Sequence, residues 1–164
     1  MKIANPDRPG QGPNPGPSTS SLPSPDERGL LQIVLEAVEA VDWSSSRPPA
    51  EQDRRFRPQM MLTLLAHCYA SGLYGSRDIE WATETDPIAR YICAHQFPDW
   101  LAIRRFRRQN RRLLANCLTR VLERACVLTF EQTQAGCVAE PTLGTAAQNR
   151  IDLAIIIDRA ESEG

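Results

Sequence analysis

The sequence has no Cys-x-x-Cys pair, a single lysine, and no apolar run long enough to cross a bilayer. Nor does it show a convincing alternation of period two, the mark of half-buried strands, anywhere along the chain. A membrane-crossing helix needs about 20 consecutive apolar residues, so the chain is expected to meet no membrane. Lys2 has no apolar segment behind it and does not open a signal peptide, which makes a cytoplasmic location the expectation. The five cysteines (Cys68, Cys93, Cys117, Cys126 and Cys137) are odd in number and widely spaced, which argues against a disulfide framework. Together with His67 and His95 they lack the spacing of a four-ligand zinc site. Buried free thiols are therefore expected, with no metal and no cofactor.

What is present is unevenly distributed. Residues 1–27 hold seven of the 13 prolines, with Gly, Ser and Asn between them. Such a segment buries too little apolar surface to offset its ordering entropy, and it is expected to be a disordered leader. The charge is just as uneven. The net charge is −1, yet residues 101–124 alone sum to +7, eight arginines against Glu123. Six arginines fall within DWLAIRRFRRQNRR, residues 99–112.

Helical periodicity accounts for the remainder. RGLLQIVLEAVEAVDW (28–43) repeats apolar residues at Leu30, Leu31, Val34, Leu35, Val38 and Val41. A loop at 44–53 precedes RPQMMLTLLAHCYASGLYG, where Pro58 suits a first helical turn and Gly72 a stop. Ser76 can cap a short helix, Asp86-Pro87 is a start signal for the next, and Asp99 can cap the arginine-bearing one. Leu113/Leu114, Cys117/Leu118, Val121/Leu122 and Ala125/Cys126 mark a long amphipathic helix to about Phe130. GCVAEPTLGT (136–145) reads as a break, and AQNRIDLAIIIDRAES as a last, marginal helix. The fold class is all-α. The expected divisions are a leader at 1–27, a helical domain at 28–135, and a loop with a marginal helix at 136–164. The short helices near 76–83, 86–94 and 99–109 suit a helix-turn-helix arrangement whose second member carries the arginines.

On a helical wheel Phe106 and Asn110 fall within about 60° of Ile103, on the buried side, while Arg104, Arg105 and Arg108 fall opposite. Arg107 lies at the edge, where its stem can cover the core and its head reach water. A helix pinned by Ile103 and Phe106 that shows these arginines is chemically suited to a DNA groove, since guanidinium groups fork onto phosphates or guanine edges. Leu101 can meet a thymine methyl, Trp100 can do the same or help close the core, and Arg107, Arg111 and Arg112 can meet the backbone. The candidate DNA-binding set is thus Trp100, Leu101, Arg104, Arg105, Arg107, Arg108, Arg111 and Arg112. A different reading has the arginines pair with acidic surfaces such as Glu36, Glu39 and Asp42, with the stripe from Leu113 to Phe130 as a multimerisation or protein-interaction face. What separates the two is whether the guanidinium groups point outward or are engaged by carboxylates of the chain itself.

The stretch RPQMMLTLLAHCYASGLYGSRDIEWATETDPIARYICAHQFPDWLAIRRFRRQN resembles the N-terminal, InsH-type domain of bacterial insertion-sequence transposases of the Asp-Asp-Glu class. The resemblance rests on elements in matching order: Pro58 to Leu65, Tyr69 to Arg77, Asp86 to Ile92, and Pro98 to Arg108. It runs through about residues 56–130 and more loosely over 28–55. It implies binding of double-stranded DNA at the terminal inverted repeats of a mobile element, in transposition and DNA recombination, with itself or a full-length transposase as a further partner. Trp100 and Leu101 stand where the family usually carries small polar residues. The family's catalytic domain opens with an Asp-Gly-Thr, where this chain reads CVAEPTLGT (137–145). Two-metal phosphodiester chemistry needs clustered carboxylates, and Asp152 and Asp158 are the only acids in an apolar run. The expectation is a truncated, non-enzymatic module, a regulator or a relic of an element.

Overall fold

The computed structural model describes residues 25–46, 48, 51–133 and 140–163. Among them are seven α-helices and no strands: α1 (Pro25–Glu39), α2 (Pro58–Ala70), α3 (Ser76–Thr85), α4 (Pro87–Cys93), α5 (Trp100–Gln109), α6 (Arg111–Thr133) and α7 (Glu140–Glu163). No helix among the described residues is long and apolar enough to cross a membrane. The expected disorder of the leader lies outside the described residues, apart from Pro25 to Glu27, which already belong to α1.

At the centre is α2, in which every side chain from Met61 to Tyr69 is buried. Pro58 stands at its first turn, where the missing N–H has no intrahelical partner to lose. Its end is closed by Gly72 at φ +87, with Leu73 N–H donating to the Cys68 carbonyl (2.8 Å) and Gly72 N–H to Tyr69 (3.4 Å). This 6→1 and 5→2 pair of bonds needs a residue in the left-handed region, which glycine supplies without steric cost. Around α2 pack α1, α4 and α6, and α6 also receives α7 along its length. The stripe expected on α6 is buried as Leu113, Leu114, Cys117, Leu118 and Val121, within the chain's own core.

Two of the local start signals operate as read. Asp86 accepts from Ala89 N–H (2.7 Å) and Asp99 from Ala102 N–H (2.7 Å), each carboxylate satisfying a donor that the helix start leaves unpaired. Other elements differ from expectation. α1 ends at Glu39 rather than near 43, because Asp42 accepts from Ser44 N–H (2.9 Å) and turns the backbone into a short 3-10 turn at Trp43–Ser45. A second 3-10 turn at Glu51–Asp53 falls in the expected loop.

The tail departs most. α7 starts at Glu140 and runs 24 residues, through much of the stretch that reads as a break. Pro141 causes no interruption because it sits in the opening turn, where no N–H is needed. Nor is the helix marginal. Ala147, Ile151 and Ala154 lie on one face at helical spacing and are fully buried in the common core. Arg150 adds a tie that periodicity does not reveal, donating to the Tyr69 and Ala70 carbonyls (2.8 and 3.3 Å) in the last turn of α2.

Cys68, Cys93 and Cys117 are buried free thiols, as expected. Cys126 is disulfide-bonded, a correction to the free-thiol expectation, and Cys137 lies outside the described residues. Burial raises all three free thiols above their ordinary value, to about 11 for Cys93 and about 12 for Cys117. Because the folded values are raised, the associated stability is complete below pH 9 and is lost as pH rises through about 11 and 12. Urea midpoints should accordingly fall from pH 9 upward, and a thiol reagent at about pH 8 should leave these three untouched until the chain unfolds. Ile151→Ala should destabilise the whole fold by about 2–5 kcal/mol in urea titrations, the range for a truncated core side chain. A loss below about 0.5 kcal/mol would return α7 to the role of a loose appendage.

Candidate nucleic-acid interface

α5 is amphipathic, and its sequence explains how it is set. Ala102, Ile103 and Phe106 are buried, while Leu101 and Arg108 are exposed. Asn110, also buried, ends the helix with its side-chain amide on the Phe106 carbonyl (3.2 Å), and α6 departs directly at Arg111. α3 packs on both α4 and α5. The connection from Cys93 to Trp100 covers residues 94–99 and passes through left-handed backbone at Ala94 (φ 46) and His95 (φ 67). It is longer than the three or four residues that usually join a helix-turn-helix pair.

The guanidinium groups do not share one fate. Arg107, placed at the edge of the buried side by its helical angle, is instead inside, at 2% exposure. It forms an ion pair with Asp158 of α7, donates to the Tyr69 hydroxyl (2.7 Å) and approaches Ser76 Oγ at 3.3 Å. Its head turns inward because a buried carboxylate is there to meet it. Burial pushes the Tyr69 hydroxyl up to about 12 against the opposing pull of Arg107, so the phenol keeps its proton at neutral pH.

Arg104 is also engaged by α7. Its Nε lies 3.1 Å from Asp158 Oδ2, and it donates to the Asp158 carbonyl (2.6 Å) and Ser162 Oγ (2.8 Å). Glu161 stands 3.7 Å away. Trp100 lies under two arginines, with Arg104 at 4.6 Å and Arg77 at 5.2 Å from its ring centroid, so its face is already occupied by cations. Arg105 makes a bidentate pair with Asp53, 2.7 Å on both arms, and this contact raises the pKa of the guanidinium. Arg111 pairs with Asp152, more openly, both side chains being nearly half exposed.

Asp158 does more than neutralise arginine. Ser76 does not act as the cap of α3; it is the first residue of that helix, and Gly75 before it supplies no side chain. Asp158 takes the cap's place from 82 residues away, accepting from Ser76 N–H (2.9 Å) and Ser76 Oγ (2.8 Å). A carboxylate at a helix N-terminus also sits at the positive end of the dipole. The two acids weighed for phosphodiester chemistry, Asp152 and Asp158, are thus both occupied by arginines, and no metal-binding cluster occurs among the described residues.

Of the eight residues read as DNA-contacting, Leu101, Arg108 and Arg112 are exposed and carry no ion pair among the described residues. The carboxylates that engage the others are Asp53, Asp152, Asp158 and Glu161, whereas Glu36 and Asp42 bond within their own segments, to Gln32 and Ser44. A further basic stretch went unread. Arg54, Arg55 and Arg57 are all exposed around a buried Phe56, three charges in the four residues Arg54–Arg55–Phe56–Arg57. Arg55 stacks on Phe56 at 4.6 Å and has only a loose 3.9 Å pair with Asp99. That local run was visible in the sequence; the clamp holding it near α5, Asp53 on Arg105, was not.

Asp158→Ala strands the buried Arg107 and uncaps α3, so it should cost about 3–5 kcal/mol in urea unfolding. Arg108→Ala should stay within about 0.5 kcal/mol of the parent. Equal costs for the two would remove the buried network from its place in the fold. No protein-family model, curated protein or solved structure matches the chain.

Proposed function

We propose that the chain is a helical DNA-binding module, with its phosphate contacts made by exposed arginines rather than by the whole arginine face of α5. The observation that carries this reading is the bidentate Asp53–Arg105 pair. It withdraws Arg105 from any external partner but ties the segment that carries Arg54, Arg55 and Arg57 to α5, where Phe56 shares a hollow with Ala102 and Phe106. Arg108 follows one helical turn after Arg105, with Arg112 just beyond. Exposed guanidinium groups on a folded scaffold suit phosphate oxygens, which position a protein on a duplex without reading its sequence. Leu101, exposed at the start of α5, remains available to a base edge. Combined with the resemblance of residues 56–130 to transposase N-terminal domains, the reading makes the target the terminal inverted repeats of a mobile element. A chain of this kind would occupy element ends.

A second reading, a protein-interaction module without direct DNA contact, is favoured by the internal engagement of Arg104, Arg105, Arg107 and Arg111 and by the exposed aromatics Trp81 and Tyr91.

Fluorescence anisotropy on labelled duplexes of about 25 base pairs, titrated with salt, separates the two. Five phosphate contacts correspond to a slope of about −4.5 in log affinity against log salt, at roughly −0.9 per contact. An Arg108→Ala/Arg112→Ala variant should flatten the slope by about 2, and an Arg54→Ala/Arg55→Ala/Arg57→Ala variant by about 3. A folded chain that fails to bind at about 50 mM salt would sink the DNA reading and leave the interaction module.

A further inference from the structure

α1 and α6 pack against one another, and between them runs a groove of about 310 Å³. Its apolar part is Ile33, Ala37 and Ala40 of α1 with Val127 of α6, and Ala40 and Val127 are exposed. Its charges are Glu36 of α1 and Arg120, Glu123 and Arg124 of α6. On each helix the four lining positions follow the i, i+3, i+4, i+7 spacing of a single face. Two of the three apolar positions on α1 are alanine, so a facing helix can approach closely.

The charges are divided between the two walls, and they lack partners. Arg120 and Arg124 are exposed, and neither they nor Glu123 form an ion pair among the described residues. Among the same residues Glu36 accepts from the neutral amide of Gln32 (3.1 Å) and from no cation. The α1 wall is therefore negative and the α6 wall net positive, while the groove as a whole is neutral. A polyanion or a polycation would meet as much repulsion as attraction there. A face with opposite signs on its two walls is instead complementary to itself.

We propose that this groove is the interface for a second copy of the chain, related to the first by a two-fold axis running along the groove. Such an axis turns the face over, so that α1 of one copy lies on α6 of the other. Glu36 of each copy then faces Arg120 and Arg124 of its neighbour, and the contact is made twice. An axis running across the groove would set α1 on α1 and α6 on α6, opposing like charges. In the first arrangement the apolar stripes meet at the centre, as two layers of two helices, and Ala40 and Val127 leave water. Burial supplies the attraction and the charged walls select the pairing. The stripe of α6 from Leu113 to Val121 takes no part, being buried in the chain's own core. The proposal shares no residue with the exposed arginines of the DNA reading, so either can fail without the other.

Sedimentation of the full chain at about 100 μM tests it, a concentration at which a Kd of about 10 μM leaves most of the protein paired. The parent should sediment as a dimer. Glu36→Arg sets arginine against arginine at both contacts and should weaken the dimer at least about tenfold. Arg120→Glu/Arg124→Glu sets carboxylate against carboxylate and should weaken it likewise. Mixing the two variants in equal amounts should restore a dimer, because the mixed pair again joins opposite charges at both contacts. All three substituted side chains are exposed, and circular dichroism of each variant alone checks that its helices are intact. A parent that sediments as a monomer at this concentration overturns the proposal. So does a dimer that both reversals leave unchanged, and so do folded variants that fail to recombine when mixed.

Discussion

One buried carboxylate organises the charged side of this molecule. Asp158 accepts from the first backbone N–H of α3 and from the Ser76 hydroxyl, forms ion pairs with two arginines of α5, and belongs to the last turns of α7. Three helices distant in the chain are thereby referred to a single group. An unpaired buried carboxylate, or an unpaired buried Arg107, is costly in a low-dielectric interior, so neither residue is tolerable there without the other. The apolar contacts of Ala147, Ile151 and Ala154 bring α7 onto the core, and the same helical repeat, one turn further, carries Asp158 to the N-terminus of α3. Hydrophobic burial supplies the approach and the ion-pair cluster sets the registry.

The consequence for function is a division of labour among arginines that look equivalent in a list. Those facing α7 or the segment around Asp53 belong to the architecture: Arg104 and Arg107 hold α7, and Arg105 holds the basic segment 54–57. Arg108 and Arg112, exposed and without an ion pair among the described residues, keep charge available to an outside partner. The net charge of the arginine-rich stretch therefore overstates the charge that any polyanion would meet. Trp100 shows the same effect: stacked under Arg77 and Arg104, it is a structural aromatic rather than a reading head. The exposed aromatics lie elsewhere, at Trp81 on α3 and at Tyr91 on α4, the latter on a helix whose spacing suggests that Tyr91 faces inward with Ile88 and Ile92.

How much was legible follows from the range of the interactions concerned. The all-helical class, the centre of α2, the stripe of α6, and the caps at Asp86 and Asp99 rest on neighbours within a few positions, and periodicity and composition capture those. The same local logic predicted a break at 136–145 from its glycines and proline; residues 136–139 lie outside the described residues, and over 140–145 it failed, since α7 is already helical there. Burial of the α7 face outweighs weak helix propensity, and Pro141 falls where it does no harm. Ser76 was expected to cap its own helix, but its hydroxyl is directed to Asp158, 82 positions on.

What the sequence by itself determined is the helical repeat of each segment, the concentration of arginine on α5, and which side of that helix must be apolar. Helical geometry converts spacing into faces without reference to the rest of the chain. Only the tertiary structure decided which guanidinium groups remain exposed, because that depends on where distant carboxylates arrive. Asp53 and Asp158 are separated from α5 by about fifty residues in either direction, and nothing in their local context marks them as partners. A charge is assigned to the surface or to the interior by its surroundings in three dimensions, and on this helix Arg107 and Arg108, adjacent in sequence, were sent to opposite sides.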